Sequence, residues 1–417
     1  MSGGLDLYNR EVSFPCLRLV YRKVRKMDMK EKSLALHKEK RGKISIESKV
    51  SLNTREDLAL AYTPGVAEPC KKIQEDVREA YTYTSKGNLV AVVTDGTAVL
   101  GLGDIGPEAA MPVMEGKAIL FKEFAGVDAV PICLDTKNLA EIIQTVRFLS
   151  PTFGGINLED ISSPRCFEIE KQLDKLLPIP VFHDDQHGTA IVVVSGIMNS
   201  LRLIGKKMNE IKVVLNGPGA AGTAIITMLM DMGIKEAVVC DEHGILAENR
   251  GVPMDEHKKQ LAQRSNPQQV NGDLKDAMKE ADIFIGVSVG GIVTNEMIQS
   301  MAQDAVVFAM ANPTPEIMYD EAKAAGARVM GTGRSDFPNQ INNVLAFPGI
   351  FKGALEVRAT TINKEMKVAA AKAIADMIPE DELSEEYIIP DALNKNVAEQ
   401  VAKYVAQAAR DTGVATI

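Results

Sequence analysis

No Cys-x-x-Cys pair occurs in the 417 residues, and the five cysteines, Cys16, Cys70, Cys133, Cys166 and Cys240, lie scattered. An odd, widely spaced set builds no disulfide framework and fits a reducing compartment, so a cytoplasmic location is expected. No run approaches the ~18 uninterrupted apolar residues of a membrane-spanning helix, so no membrane partner is expected. There is no tandem repeat and no low-complexity tract. Positive charge is also scarce: 47 Lys and Arg face 56 Asp and Glu, a net charge of −9. That balance argues against nucleic acid as a partner. An anionic substrate must then find a local positive group, either a metal ion or a lysine. Hydrophobic content of 46% and charged content of 25% are ordinary for a globular chain. The length favours two domains over one.

Residues 1–26 are basic, through Arg18, Arg22, Lys23, Arg25 and Lys26, but lack the apolar core of a secretory signal. They read as a tail ahead of the fold, with Met27 or Met29 as alternative starts. From there strands and helices alternate, which is the pattern of an α/β fold. Leu89–Thr94, Val127–Leu134 and the short apolar runs Gly155–Leu158 and Ile179–Phe182 read as buried strands. Helices are expected from about Pro107 to Phe124, over Leu139–Leu149, and from Ile191 to Leu203.

Two of these strands run into acidic pairs, Glu159-Asp160 and Asp184-Asp185. Carboxylates at strand ends are more often buried and paired than merely solvated. A hard divalent cation such as Mg²⁺ or Mn²⁺ would satisfy them, with Glu159, Asp160 and one of Asp184 and Asp185 as ligands. A zinc site would instead use His183 and His187, four apart as on a helix. Gly188 and the preceding strand argue against a regular helix there.

Glycine patterns occur twice. Gly101-Leu-Gly-Asp-Ile-Gly106 has the G-x-G-x-x-G form, but Gly217-Pro-Gly219-Ala220-Ala221-Gly222 has the better context. The second follows the strand Lys212–Asn216, opens a helix near Ala220, and precedes a strand ending at Asp241. In a Rossmann unit Gly217 makes the tight turn, Gly219 admits the pyrophosphate, and Gly222 lets helix and strand pack. Asp241 would take the adenosine ribose hydroxyls and repel a 2′-phosphate, which favours NAD over NADP. Later strands are expected at 281–288, 305–311 and 327–332, then helices at 364–377 and 394–410. A lysine among apolar residues, Lys117, would have a depressed pKa if buried and could then accept a proton. Tyr62, before a Pro-Gly turn, would ordinarily be a packing residue.

Several of these segments together resemble the malic enzymes in their short bacterial form. They are Tyr62-Thr-Pro-Gly-Val-Ala, Gly101-Leu-Gly-Asp, the Lys117 segment, Leu158-Glu-Asp-Ile with His183-Asp-Asp-Gln-His-Gly-Thr-Ala, Asn312-Pro-Thr, and Gln340-Ile-Asn-Asn343. The resemblance spans roughly residues 40–360. It implies oxidative decarboxylation of L-malate to pyruvate and CO₂ with NAD⁺ or NADP⁺ and Mg²⁺ or Mn²⁺, with decarboxylation of oxaloacetate as an accompanying activity. It implies an α/β substrate and metal domain (27–190), a Rossmann domain (191–350), C-terminal helices (351–417) and a homodimer. Glu159, Asp160 and Asp185 then hold the metal, and Lys117 takes the hydroxyl proton. Tyr62 protonates the enol, and Asp184 tunes Lys117 or the metal shell. Asn312 lies by nicotinamide and substrate, and Asn343 by substrate. One departure is Ala98, where larger malic enzymes carry a carboxylate-binding arginine; this leaves the partner of malate's second carboxylate open. The alternatives are a malolactic enzyme and a non-catalytic, regulatory NAD-binding protein.

Overall fold

The computed structural model describes residues 28–99 and 101–417, so the expected tail at 1–26 lies outside the described residues. The chain divides at Gly42 into two compact units. In the first, Asp28 and Glu31 form a capping box, with the Glu31 amide donating to Asp28 Oδ1 at 2.8 Å, and start the helix Met29–Lys40. Arg41, in the left-handed region at φ 56°, ends that helix.

The second unit, from Lys43, holds two sheets. The first has β1 (Leu89–Thr94), β2 (Asp128–Cys133), β3 (Gly155–Leu158) and β4 (Val181–His183) in the order β2-β1-β3-β4, all parallel. The second has β5 (Lys212–Asn216), β6 (Glu236–Asp241), β7 (Gly244–Ile245), β8 (Ile283–Gly286), β9 (Val306–Ala309) and β10 (Val329–Thr332). Its order is β10-β9-β8-β5-β6-β7, parallel except for the short edge strand β7. Parallel strands covered on both faces need apolar residues at every position, which is why they read as unbroken runs. β3, β8, β9 and β10 are buried at all four positions.

The long helix Asp184–Ile204 packs on the helices Ala220–Asp231 and Lys364–Ala375. It is long and apolar enough to cross a membrane, yet 67% of its most apolar window is buried inside the protein. It begins at Asp184, not at Ile191 as expected, so the acidic stretch is its first turn. Gly188 costs a helix only about 1 kcal/mol, and its missing side chain makes room for Asp184. A Cβ on Gly188 would lie 1.8 Å from Asp184 Oδ1.

The C-terminal helices Phe347–Glu356, Lys364–Ala375 and Asn396–Asp411 pack on one another. Gly349 and Gly353 allow this closely: a Cβ on either would come within 2.6 Å of the Ala398 or Ala402 carbonyl oxygen. One core joins Val90, Phe121 and Phe182 around the first sheet with Val213 and Phe308 of the second and Phe351 and Val401 of these helices. That core holds the helix Pro107–Ala125, and Lys117 on it, against the edge where β1, β3 and β4 end.

Candidate active site

Strand register brings the acids together. Leu158 pairs with His183, so the residues that follow, Glu159 and Asp184, leave adjacent strands at the same level. Lys117 reaches this edge from its helix and is 7% exposed. Its Nζ lies 2.6 Å from Asp184 Oδ2, 2.9 Å from Glu159 Oε1 and 4.2 Å from the centre of the Phe347 ring. Asn343 Nδ2 donates to the same Asp184 oxygen. Asn157 Nδ2 donates to Glu159 Oε2 at 2.8 Å. Asp160, in the left-handed region at φ 53°, donates its amide to Asp185 Oδ2 at 2.7 Å.

Burial alone would lower the Lys117 pKa, as expected from sequence, but the charges of Asp184 and Glu159 outweigh it and hold the ammonium above its usual range. The acids move up as well. Burial raises Glu159 and Asp184 to about 7, against the pull of Lys117. Burial, then the charges of Asp185 and Glu159, lift Asp160 to about 9. Four carboxylates share one ammonium, so the cluster lacks positive charge.

A divalent cation fits that deficit. Glu159, Asp160 and Asp185 each offer an oxygen, and these atoms lie within 4.8 Å of one another. Asp160 Oδ2 is buried with no hydrogen-bond partner. Three hard anionic donors with an unmatched lone pair suit Mg²⁺ or Mn²⁺. His183 and His187 are not in this group. His187 Nε2 lies 2.9 Å from Glu170 Oε2, so the zinc arrangement does not form.

In the second sheet the strand order reverses between β5 and β8, where a Rossmann crevice opens. Gly217, at φ 103°, passes so close to β8's exit that a Cβ would lie 2.7 Å from the Val287 carbonyl oxygen. A Cβ on Gly222 would lie 2.0 Å from the Gly217 oxygen, so helix and turn touch. Gly219 has nothing within 4 Å of its Cβ position. No side chain caps the helix that follows, which leaves its first amides, with Ala220 and Ala221, for a pyrophosphate.

Residues 39–174 match the family model of the malic enzyme N-terminal domain, and residues 186–410 that of the malic enzyme NAD-binding domain. The chain belongs to the malic enzyme family. It is 61% identical over 391 residues to a bifunctional malic/malolactic enzyme of Bacillus subtilis, covering 94% of this chain and 95% of that one. It is 58% identical to an NAD-dependent malic enzyme of Geobacillus stearothermophilus, over 90% of this chain and 78% of that one. The crystal structure of a malic enzyme from Pyrococcus horikoshii has a TM-score of 0.90 at 50% identity, covering 93% of this chain and 92% of that one. As a malic enzyme family member the chain is an NAD(P)-dependent oxidoreductase.

Of the residues expected from sequence, Lys117, Glu159, Asp160, Asp184, Asp185 and Asn343 converge. Asn312 stands apart at the end of β9, between Gly101 and Gly333, whose Cβ positions each lie 3.2 Å from it. Tyr62 is 68% exposed, and its hydroxyl has no partner among the described residues. Ala98 donates its amide to the Asp160 carbonyl oxygen at 2.9 Å. The neighbouring guanidinium of Arg165 is taken by Asp95 at 2.8 Å and Thr97 at 2.9 Å.

Asp241 is less free than its position suggested. Arg250 donates to both its oxygens at 2.8 Å, Lys258 to one at 2.8 Å, and the His243 amide to the other at 2.9 Å. Burial would raise its pKa, but the Arg250 and Lys258 hydrogen bonds outweigh that and hold it far below the usual carboxylate range. Two cations beside it offset the repulsion expected toward a 2′-phosphate. Sequence reading also passed over Asn157 and Phe347. The signal for Asn157 was one amide inside an otherwise apolar strand.

The contact at Gly188 is testable. Gly188→Ala should displace Asp184 from Lys117 and lower kcat by about 10²-fold or more, given the sensitivity of catalysis to ~1 Å misplacement. NADH affinity should hold. A fully active variant would show that Asp184 can turn aside without cost.

Proposed function

We propose that this protein oxidatively decarboxylates L-malate to pyruvate and CO₂ with reduction of NAD(P)⁺. The observation that carries the reading is one buried lysine bridging two carboxylates at the edge of a three-carboxylate cation seat. NAD(P)⁺, held at the Gly217–Gly222 turn, would supply the hydride acceptor for the malate carbinol carbon. A divalent cation held by Glu159, Asp160 and Asp185 would polarise the malate hydroxyl and stabilise the negative charge that builds as CO₂ leaves.

The chain's own groups do the proton work. Lys117 takes the hydroxyl proton. Its high proton affinity comes from Asp184 and Glu159, so any positive charge that neutralises those acids lets burial depress it toward neutrality. Asp184, fixed by Asn343, keeps the amine aimed at the edge of the sheet. Tyr62 returns a proton to the carbon that lost CO₂. Asn312 and Asn343 lie on the cofactor and substrate sides of the crevice. With Asp241 neutralised by Arg250 and Lys258, both NAD⁺ and NADP⁺ are accepted.

The protein acts in the cytoplasm as a homodimer. Ile46, Val50, Leu52, Leu58 and Leu60 are all exposed in the segment that carries Tyr62. So many exposed apolar side chains in one segment point to an interaction surface. A second copy covering it would bring Tyr62 to the neighbouring copy's Lys117. Tyr62→Phe and Lys117→Ala should each be inactive alone. Co-expressed, they should recover about a quarter of wild-type activity, because half the dimers would hold one intact site. No recovery would place both residues in one copy's site.

Purified protein with L-malate and Mn²⁺, given NAD⁺ and NADP⁺ separately, tests the main reading. Reduced nicotinamide appearing with pyruvate in equal amounts supports it. The bifunctional Bacillus subtilis relative favours a second reading, in which reduced cofactor stays bound and returns its hydride to pyruvate. Lactate formed without net reduction of NAD⁺ would establish that activity. No turnover of malate would reject both.

A further inference from the structure

Behind the first turn of the Asp184–Ile204 helix sits a carboxylate with no part in the chemistry above. Glu170, on the helix Arg165–Leu176, has a side chain 14% exposed. Its Oε1 accepts the His183 amide at 3.0 Å. Its Oε2 accepts from Gln186 Nε2 at 3.3 Å and lies 2.9 Å from His187 Nε2. Burial would raise Glu170, but His187 and its hydrogen bond, with Lys367 beyond, outweigh it and hold the carboxyl down to about 2. Both imidazoles are pushed down by burial, to about 4 for His183. A carboxylate can only accept, so His187 Nε2 is the donor in its contact with Glu170.

Helix geometry gives this grip a meaning. At 100° per residue, positions 183, 186 and 187 share one face of a turn. Asp184 and Asp185 straddle the opposite face. Glu170 thus binds the back of the turn whose front carries one carboxylate to Lys117 and the other to the cation seat. The turn needs such a hold, since His183 gives it no side-chain cap. The helix of Glu170 also starts five residues after Asp160, so it ties the acids after β3 to those after β4. The Asp160 amide, which donates to Asp185 Oδ2, and Lys117, which bonds both Glu159 and Asp184, tie the same two segments from the front.

We infer that Glu170 is a positioning residue for the cation seat: it holds the first turn of the Asp184 helix so that Asp185 meets Glu159 and Asp160 while Asp184 meets Lys117. Lys367, from the C-terminal helix Lys364–Ala375, faces the same carboxylate and extends the support into a region given no catalytic part by its sequence.

The inference rests on the malic enzyme reading for the presence of a cation, so the test separates the two. Mn²⁺ binding to the full-length protein is followed by the loss of the free-ion electron paramagnetic resonance signal, with no turnover required. NADH binding is followed by fluorescence and folding by thermal melting. Glu170→Gln should weaken Mn²⁺ binding by about 10–100-fold, as loss of a group supporting metal ligands does elsewhere. NADH affinity should be unchanged. The loss should appear in kcat as well as in KM for malate, because Asp184 moves with Asp185. His187→Ala, which keeps Glu170, should weaken Mn²⁺ binding in the same direction by about tenfold or less. Unchanged Mn²⁺ affinity in Glu170→Gln would overturn the inference and leave the functional reading intact. Parallel losses of Mn²⁺ affinity, NADH affinity and melting temperature would also overturn it, by making Glu170 a support of the whole fold. Wild-type protein that binds no Mn²⁺ would overturn both.

Discussion

Lys117→Ala should leave a protein that binds NADH normally and has lost malate oxidation, by about 10²–10⁴-fold in kcat for the proton-transfer role alone. The expectation follows from geometry. Lys117 is the ammonium that bonds Asp184 and Glu159, and both are buried. Removing it deletes the base and leaves Asp184 and Glu159 without their ammonium, so burial drives both further toward the protonated form. Lys117→Arg separates the two effects. Arginine keeps the charge and the pairing but cannot release a proton at accessible pH. It should preserve the melting temperature better than alanine does, yet remain as inactive. Steady-state NADH formation and NADH fluorescence titration give both readouts. An active Lys117→Arg enzyme would mean that the lysine supplies charge alone and that the proton leaves by another route.

Most of the nine longer strands were legible because parallel strands buried on both faces are largely apolar, and each expected run overlaps an observed strand, including the edge strand β2, which is only partly buried. The edge strand β7, two residues long, carries no pattern of its own. The start of the Asp184 helix was misjudged because glycine was read as a breaker. Tertiary packing reversed that: Gly188 is where the Asp184 carboxylate passes, and the space matters more than helix propensity. The same lesson holds at Lys117, where burial was foreseen but its two carboxylate partners were not, so the direction of its shift was inverted.

What stayed hidden came from residues distant in sequence. Glu170 meets His187 across 17 positions, and Asn343 meets Asp184 across 159. Asp241 was readable as the acid that ends β6. Arg250 and Lys258, which occupy it, lie in a connecting segment and a helix with no motif to mark them. Periodicity reports which face of an element is buried, whereas electrostatic partners across the fold follow from topology.

Topology also sets the second large effect, on metal binding and pH. Without a cation, burial and mutual repulsion raise Asp160 to about 9 and Glu159 to about 7. A metal must displace those protons, and each costs about tenfold in affinity per pH unit below the pKa. Mg²⁺ binding should therefore weaken by about 10²-fold from about pH 9 to pH 7, mostly through Asp160. Folding stability should move the other way. An acid with a raised folded pKa makes the native chain bind more protons than the unfolded one, from about pH 4 up to that pKa. Stability is full below the unfolded pKa and falls as pH rises through the folded one. The shift at Lys117 adds nothing in this window, since its pKa lies above the window in both states. The lowered histidines add nothing either, being neutral in both states above about pH 7. Lys86, pushed down to about 8 by burial, titrates in this window with the opposite sign and offsets part of the fall, but the larger shift of Asp160 prevails. Metal-free protein should thus melt at a lower temperature at about pH 9 than at pH 7, and Mg²⁺ should restore more stability at the higher pH. Thermal melts in EDTA and in Mg²⁺ at the two pH values measure this directly. An equal Mg²⁺-induced shift at both would mean that Asp160 is already ionised in the metal-free protein, compensated by a cation other than Lys117.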